Sequence, residues 1–216
     1  MSLFAVDCVA LGVQAIALFS NRFLCPPPSL MEPLATRITG RLSYLTVQSN
    51  WIMLAYYAFC LLQPESVWVT RLCTLNFALG ANLTVAYYAL VYFGDDAKRK
   101  RKIWAKRFPL LGIASHCEHA FSLPAVIAHT TLLTPAAGVD VDRDTLVFIA
   151  GYILFYLVQT HVNYAYTGAW VYAVFDDVVK AGGAPAKNAF CVVLAGVVLA
   201  FGYLGKALLR YDATGG

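Results

Sequence analysis

Two short stretches carry groups able to do acid–base or nucleophilic chemistry inside runs that are otherwise apolar. One is Ser115-His116-Cys117-Glu118-His119; the other is Thr46-Val47-Gln48-Ser49-Asn50. A neutral imidazole can take a proton near pH 7. A hydroxyl becomes a nucleophile when a neighbouring base removes its proton. On a helix, Ser115 shares the face of His119, and Asn50 shares that of Thr46. Each group also has a plainer reading: Thr46 bonds back to its own helix, the amides join helices, and His119 is a hydrogen-bonded core histidine. Titratable groups at membrane depth are costly unless partnered, so either reading demands partners.

The elements that must position these groups follow from composition. Of 216 residues, 60% are hydrophobic and 13% charged, against about 45–50% and about 25% in soluble domains. The chain therefore reads as all-α, a polytopic membrane protein built as a bundle of six transmembrane helices in one domain. Spanning takes about 20 mostly apolar residues. Six runs qualify, at about 2–19, 43–62, 67–93, 108–133, 145–166 and 189–208. Pro26-Pro27-Pro28, Pro64, Gly94-Asp95-Asp96 and Pro135 stop four of them, and the fourth should break near Pro124. The runs are continuous, not alternating, which excludes a β-barrel reading. No cleavable leader is expected: Asp7 interrupts the first run, and no basic segment precedes it. Gly196 and Ala200 have the spacing of a helix-packing motif.

Charge sets the expected orientation. Twelve of the 16 Lys and Arg fall in the segments 21–42, 94–107 and 177–188; the other four are Arg71, Arg143, Lys206 and Arg210. The positive-inside rule puts those three basic loops on the cytosolic (or matrix) side and both ends opposite. The run Lys98 to Lys102 reads as a topology signal, or as a contact for anionic head groups. Basic residues confined to short loops and a net charge of +4 give no nucleic-acid surface.

Other chemistries fit poorly. The six cysteines form no CxxC and read as small buried hydrophobes. A metal on His116, Glu118 and His119 fails because Glu118 is rotated about 100° from His119 on a helix. Haem fails because paired histidines on two facing helices are missing: His116 and His129 share one helix, with His129 expected near the membrane interface, and only His161 faces them. No metal or other cofactor is expected. His161 could orient His119 or merely satisfy its own hydrogen bonds. The aromatic segment Trp170 to Phe175 reads as an interfacial belt, or as a short segment closing the mouth of a lipid pocket. The Asn82-Leu83-Thr84 sequon lies mid-span and should be silent.

Four features in order resemble the androgen-induced-gene family of multi-pass membrane hydrolases, as a divergent member. They are Tyr44-Leu45-Thr46, then His116 and His119 followed by Leu123-Pro124, then Gly151-Tyr152-Ile153-Leu154, then Thr167-Gly168-Ala169-Trp170-Val171-Tyr172. The resemblance runs from about residue 41 to 204. It implies hydrolysis of fatty acid esters of hydroxy fatty acids by a threonine nucleophile and a histidine, which here are Thr46 and His119. Asn50, Ser115, His116, Gln48, His161, Trp170 and Tyr172 are then candidates for oxyanion stabilisation or substrate binding. The expected partners are membrane lipids and a lipid ester. The alternative is a non-catalytic scaffold or accessory subunit of a larger membrane complex that retains the fold.

Overall fold

The computed structural model describes residues 2–19, 39–92, 98, 102, 106, 110–172 and 174–209. Most of the basic loop 21–42 and of the segment 94–107 lies outside the described residues. Every regular element among the described residues is helical. In chain order these are α1 (Leu3–Phe19), a 3-10 turn (Gly40–Ser43), α2 (Leu45–Leu62), α3 (Val67–Ala86), α4 (Leu111–His119), α5 (Ser122–Leu132), α6 (Val141–Thr167) and α7 (Val174–Leu208). A π-helical turn, Tyr87–Tyr92, continues α3.

Local chemistry explains the boundaries. The Ser66 hydroxyl accepts from the Trp68 amide and opens α3, and the Asp140 carboxylate accepts from the Arg143 amide and opens α6. Gly168, at φ 67°, closes α6 in the left-handed conformation that glycine tolerates. The fourth apolar run is two short helices broken at Ala120–Phe121. Pro124 stands in the first turn of α5, where a missing N–H loses no helical bond. Helix α7 begins at Val174, well before the expected 189, and carries an internal kink at Gly182–Gly183.

Helix α3 is the pillar of the bundle, packed against α2, α5, α6 and α7, while α1 packs against α2, α4 and α5. The core runs through Met53, Tyr57, Phe77, Leu79 and Val126. Polar side chains of α3 are spent on neighbouring elements: the Thr74 and Thr145 hydroxyls meet at 2.9 Å, Asn76 Nδ2 donates to the Tyr57 oxygen at 3.2 Å, and Thr70 Oγ1 accepts from the Ala136 amide at 2.8 Å. Outside this core, Leu154, Phe155, Val158, Val192 and Val193 of α6 and α7 face outward. Three helices, α2, α6 and α7, are long and apolar enough to cross a membrane, and α1 is a shorter apolar helix of 17 residues. With that apolar outer surface, the chain is an integral membrane protein.

Close helix contact falls at different glycines from the expected pair. A Cβ on Gly196 would meet nothing within 4 Å, and Ala200 is exposed, so this pair makes no packing contact inside the chain. A Cβ on Gly205 would stand 2.7 Å from Cγ and 2.8 Å from Cβ of buried Phe77. Gly205→Ala should therefore overpack the α3–α7 contact at about 1–3 kcal/mol and lower the unfolding temperature in detergent. Gly196→Ala, gaining helix propensity in open space, should leave it unchanged or slightly raised.

Candidate active site

Thr46 stands in the first turn of α2 and His119 is the last residue of α4. The apolar runs begin three residues before Thr46 and eleven before His119. The structure brings them together: Thr46 Oγ1 lies 3.4 Å from His119 Nε2. The helix break after His119 leaves its ring at the end of α4, turned toward Thr46.

The tautomer of His119 follows from its other contact. Nδ1 lies 2.8 Å from the Ser115 carbonyl oxygen one turn back, which can only accept. Nδ1 therefore carries the proton, and the lone pair on Nε2 faces the threonine hydroxyl. The ring is clamped by Tyr87, stacked on it with centroids 3.7 Å apart and planes 15° apart. Tyr87 reaches the Ser115 hydroxyl with its own oxygen. The Thr84 hydroxyl donates at 2.5 Å to the His119 carbonyl, which the end of α4 leaves without a helical partner.

The remaining candidates divide into those near this pair and those apart from it. Tyr172 is near. Its phenol oxygen accepts from the Leu45 amide at 3.0 Å, its ring meets Tyr44 edge-on, and its hydroxyl lies beside Thr46 and Tyr156. Burial pushes the Tyr172 phenol above its ordinary pKa, so it stays protonated and able to donate. Asn50 lies one turn below Thr46, with Nδ2 3.4 Å from the Glu118 carbonyl and a buried Oδ1 without a hydrogen-bond partner. Gln48 is bound into the mouth of the bundle: Nε2 donates to Leu42 O and Gln159 Oε1, each at 2.5 Å, and Oε1 accepts from Tyr152 at 3.1 Å. His116 is half-buried, with Nδ1 2.6 Å from the Tyr88 hydroxyl.

His161 and Trp170 are apart. His161 is exposed, gives its Nδ1 proton to the Leu157 carbonyl, and receives Lys187 Nζ at 3.1 Å on Nε2. Trp170 is buried, stacked between Tyr164 and Phe175, with Lys187 over its ring at 4.9 Å. Together these side chains fasten the α6–α7 connection. His129 stands in the last turn of α5, buried in the bundle and bonded to Asp7 and Tyr56. A cleft of about 250 Å³ between α2 and α3 is lined by Ile52, Ala55, Tyr56, Phe59, Leu72, Leu75 and Asn76, and touches neither Thr46 nor His119.

Three contributors went unread in the sequence: Tyr87, Thr84 and Gln159. The Tyr87–Tyr88–Tyr92 spacing, which puts aromatics on the face that meets His116 and His119, was the available signal.

With the geometry in view, comparison with known proteins gives one match. The FAR-17a/AIG1-like protein family matches residues 10–206, and the chain belongs to that family. No curated protein and no solved structure matches it.

The Tyr172 hydroxyl is the acceptor for Leu45 N–H at the uncapped start of α2. Tyr172→Phe should cost about 1 kcal/mol through that lost bond. Thermal unfolding in detergent should show the drop.

Proposed function

We propose that this FAR-17a/AIG1-like protein is an intramembrane lipid hydrolase that cleaves fatty-acyl esters, such as fatty acid esters of hydroxy fatty acids. Thr46 is the nucleophile and His119 its general base. The observation that carries this reading is the unprotonated Nε2 of a clamped imidazole facing a threonine hydroxyl at 3.4 Å. That distance is long for a hydrogen bond, as such contacts often are before substrate closes the site.

The steps follow from the atoms. Nε2 takes the Thr46 proton as Oγ1 attacks the ester carbonyl, forming a C–O bond and an oxyanion. Collapse breaks the ester bond, and the imidazolium returns the proton to the departing alkoxide, here the hydroxy fatty acid. Water, deprotonated by Nε2, then attacks the acyl-threonine and releases the fatty acid. Tyr172 and Asn50 are the donors nearest Thr46 for the oxyanion, and one such donor is worth about 3 kcal/mol in other acyl-transfer sites. Ser115 acts through its carbonyl, fixing the tautomer. His116 and Gln48 shape the surroundings.

In this reading the six apolar segments all cross the bilayer, with α3 and its π turn as one crossing and α4 with α5 as another. The basic loops lie on the cytosolic or matrix side. A scaffold role has its own support, since the Gln48–Gln159 contact welds helices without any chemistry.

Turnover of a fatty acid ester of a hydroxy fatty acid by purified protein separates the two. Thr46→Ala and His119→Ala should each lower kcat/KM by at least about 100-fold while leaving unfolding temperatures near wild type. Thr46→Ser should keep measurable activity. Turnover unchanged in either alanine variant would overturn the Thr46–His119 assignment, and no turnover at all favours the scaffold.

A further inference from the structure

A second polar cluster stands at the other end of α2, fourteen residues or about 21 Å along the axis from Thr46. Asp7 of α1, Cys60 of α2 and His129 of α5 are all buried, and their carboxylate oxygen, sulfur and ring nitrogen lie within 4.8 Å of one another. Cys73 of α3, fully buried, lies against His129 and touches the Thr130 hydroxyl at 3.6 Å. Three helices besides α2 thus send one soft or hard donor each into an interior where isolated polar groups are expensive.

The protons here can be counted. Tyr56 has one, and the Val69 carbonyl, 3.0 Å away, can only accept it. The Tyr56 oxygen therefore accepts from His129 Nε2–H at 2.8 Å. A neutral imidazole has a single N–H, so the His129 Nδ1 lone pair points at Asp7 Oδ1, 2.5 Å away. Two lone pairs at that separation repel unless a cation stands between or beside them. A proton would join Asp7 and His129 as an ion pair and leave the Cys60 thiol to Tyr56. A divalent metal engages all three. Its two positive charges cancel one carboxylate and one thiolate, removing the penalty of net charge in an apolar core.

We propose that Asp7, Cys60 and His129 form a zinc site, with Cys73 the nearest fourth donor. Mixed S, N and O donors suit zinc. Its bonds of about 2.0–2.3 Å place ligand atoms roughly 3–4 Å apart, so Asp7 and His129 need part by only about 1 Å. The Tyr56–Val69 chain holds the imidazole from behind, as carboxylates and carbonyls do for other ligating histidines. The site ties α1 to α2, α3 and α5, and is independent of ester chemistry. It is also distinct from the His116, Glu118 and His119 set, which the helix geometry rejects.

The test is elemental analysis of tag-free protein purified in mild detergent without chelator. About one zinc per chain is expected, falling below about one tenth in Cys60→Ala and Asp7→Asn and unchanged in His119→Ala. Zinc-edge X-ray absorption of the wild type, which needs no variant to fold, should show sulfur at about 2.3 Å beside N/O at about 2.0–2.2 Å. The proposal is overturned by wild type lacking stoichiometric zinc both as purified and after zinc loading and desalting. A different metal at one equivalent, full zinc in Cys60→Ala, or a shell without sulfur would equally overturn it.

Discussion

One imidazole proton sets the geometry on which the proposed activity rests. Because His119 Nδ1–H is spent on the Ser115 carbonyl, Nε2 is left as a base aimed at Thr46. The opposite tautomer would turn the same side chain into a donor and leave the threonine without an acceptor for its proton. Everything around the ring serves that orientation. Tyr87 stacks on one face, Thr84 ties down the carbonyl of the same residue, and the helix break at Ala120–Phe121 ends α4 where the ring must point. The contrast is His161. It makes the same Nδ1 bond one turn back, yet its Nε2 faces the Lys187 ammonium on an exposed surface. A local motif sets the tautomer; the neighbour opposite Nε2 sets the use.

The bundle is organised by where its polar groups find partners. At one end of α2, Gln48, Gln159, Tyr152 and the turn Gly40–Ser43 form a hydrogen-bonded mouth above the Thr46–His119 pair. At the other, Asp7, His129 and Tyr56 form a buried chain ending on a backbone carbonyl of α3. Between them lies an apolar core of Met53, Tyr57, Phe77 and Val126. Buried polar groups joined this way hold helices in a fixed register, since a shifted helix would strand them. Helix α3 illustrates it: Thr70, Thr74, Asn76 and Asn82 are all buried within the bundle.

Much of this was legible in the sequence. Apolar runs and their proline and glycine stops marked where helices lie, and the family resemblance, added to the polar residues in those runs, paired Thr46 with His119. Other features were hidden for physical reasons. Pro124 signalled a break, but proline fits a helix's first turn, so the break precedes it by a few residues. The apolar runs alone do not show that Thr46 and His119 meet, since a contact between two helices depends on how they pack. Tyr87 is an aromatic near a span's end, where interfacial placement is the usual reading, and its sequence position gives no sign of the His119 ring it stacks on. The partner of His129, Asp7, was hidden because it is 122 residues away in sequence. Gly196 and Ala200 matched a packing spacing yet face outward, since spacing does not say which side of a helix is covered.

The most direct measurement is peptide mass spectrometry after exposing the protein to an activated fatty-acyl ester. The account predicts an acyl group on the peptide containing Thr46, absent when His119 is replaced by alanine. Acylation at another residue, or equal labelling of Thr46 without His119, would contradict it.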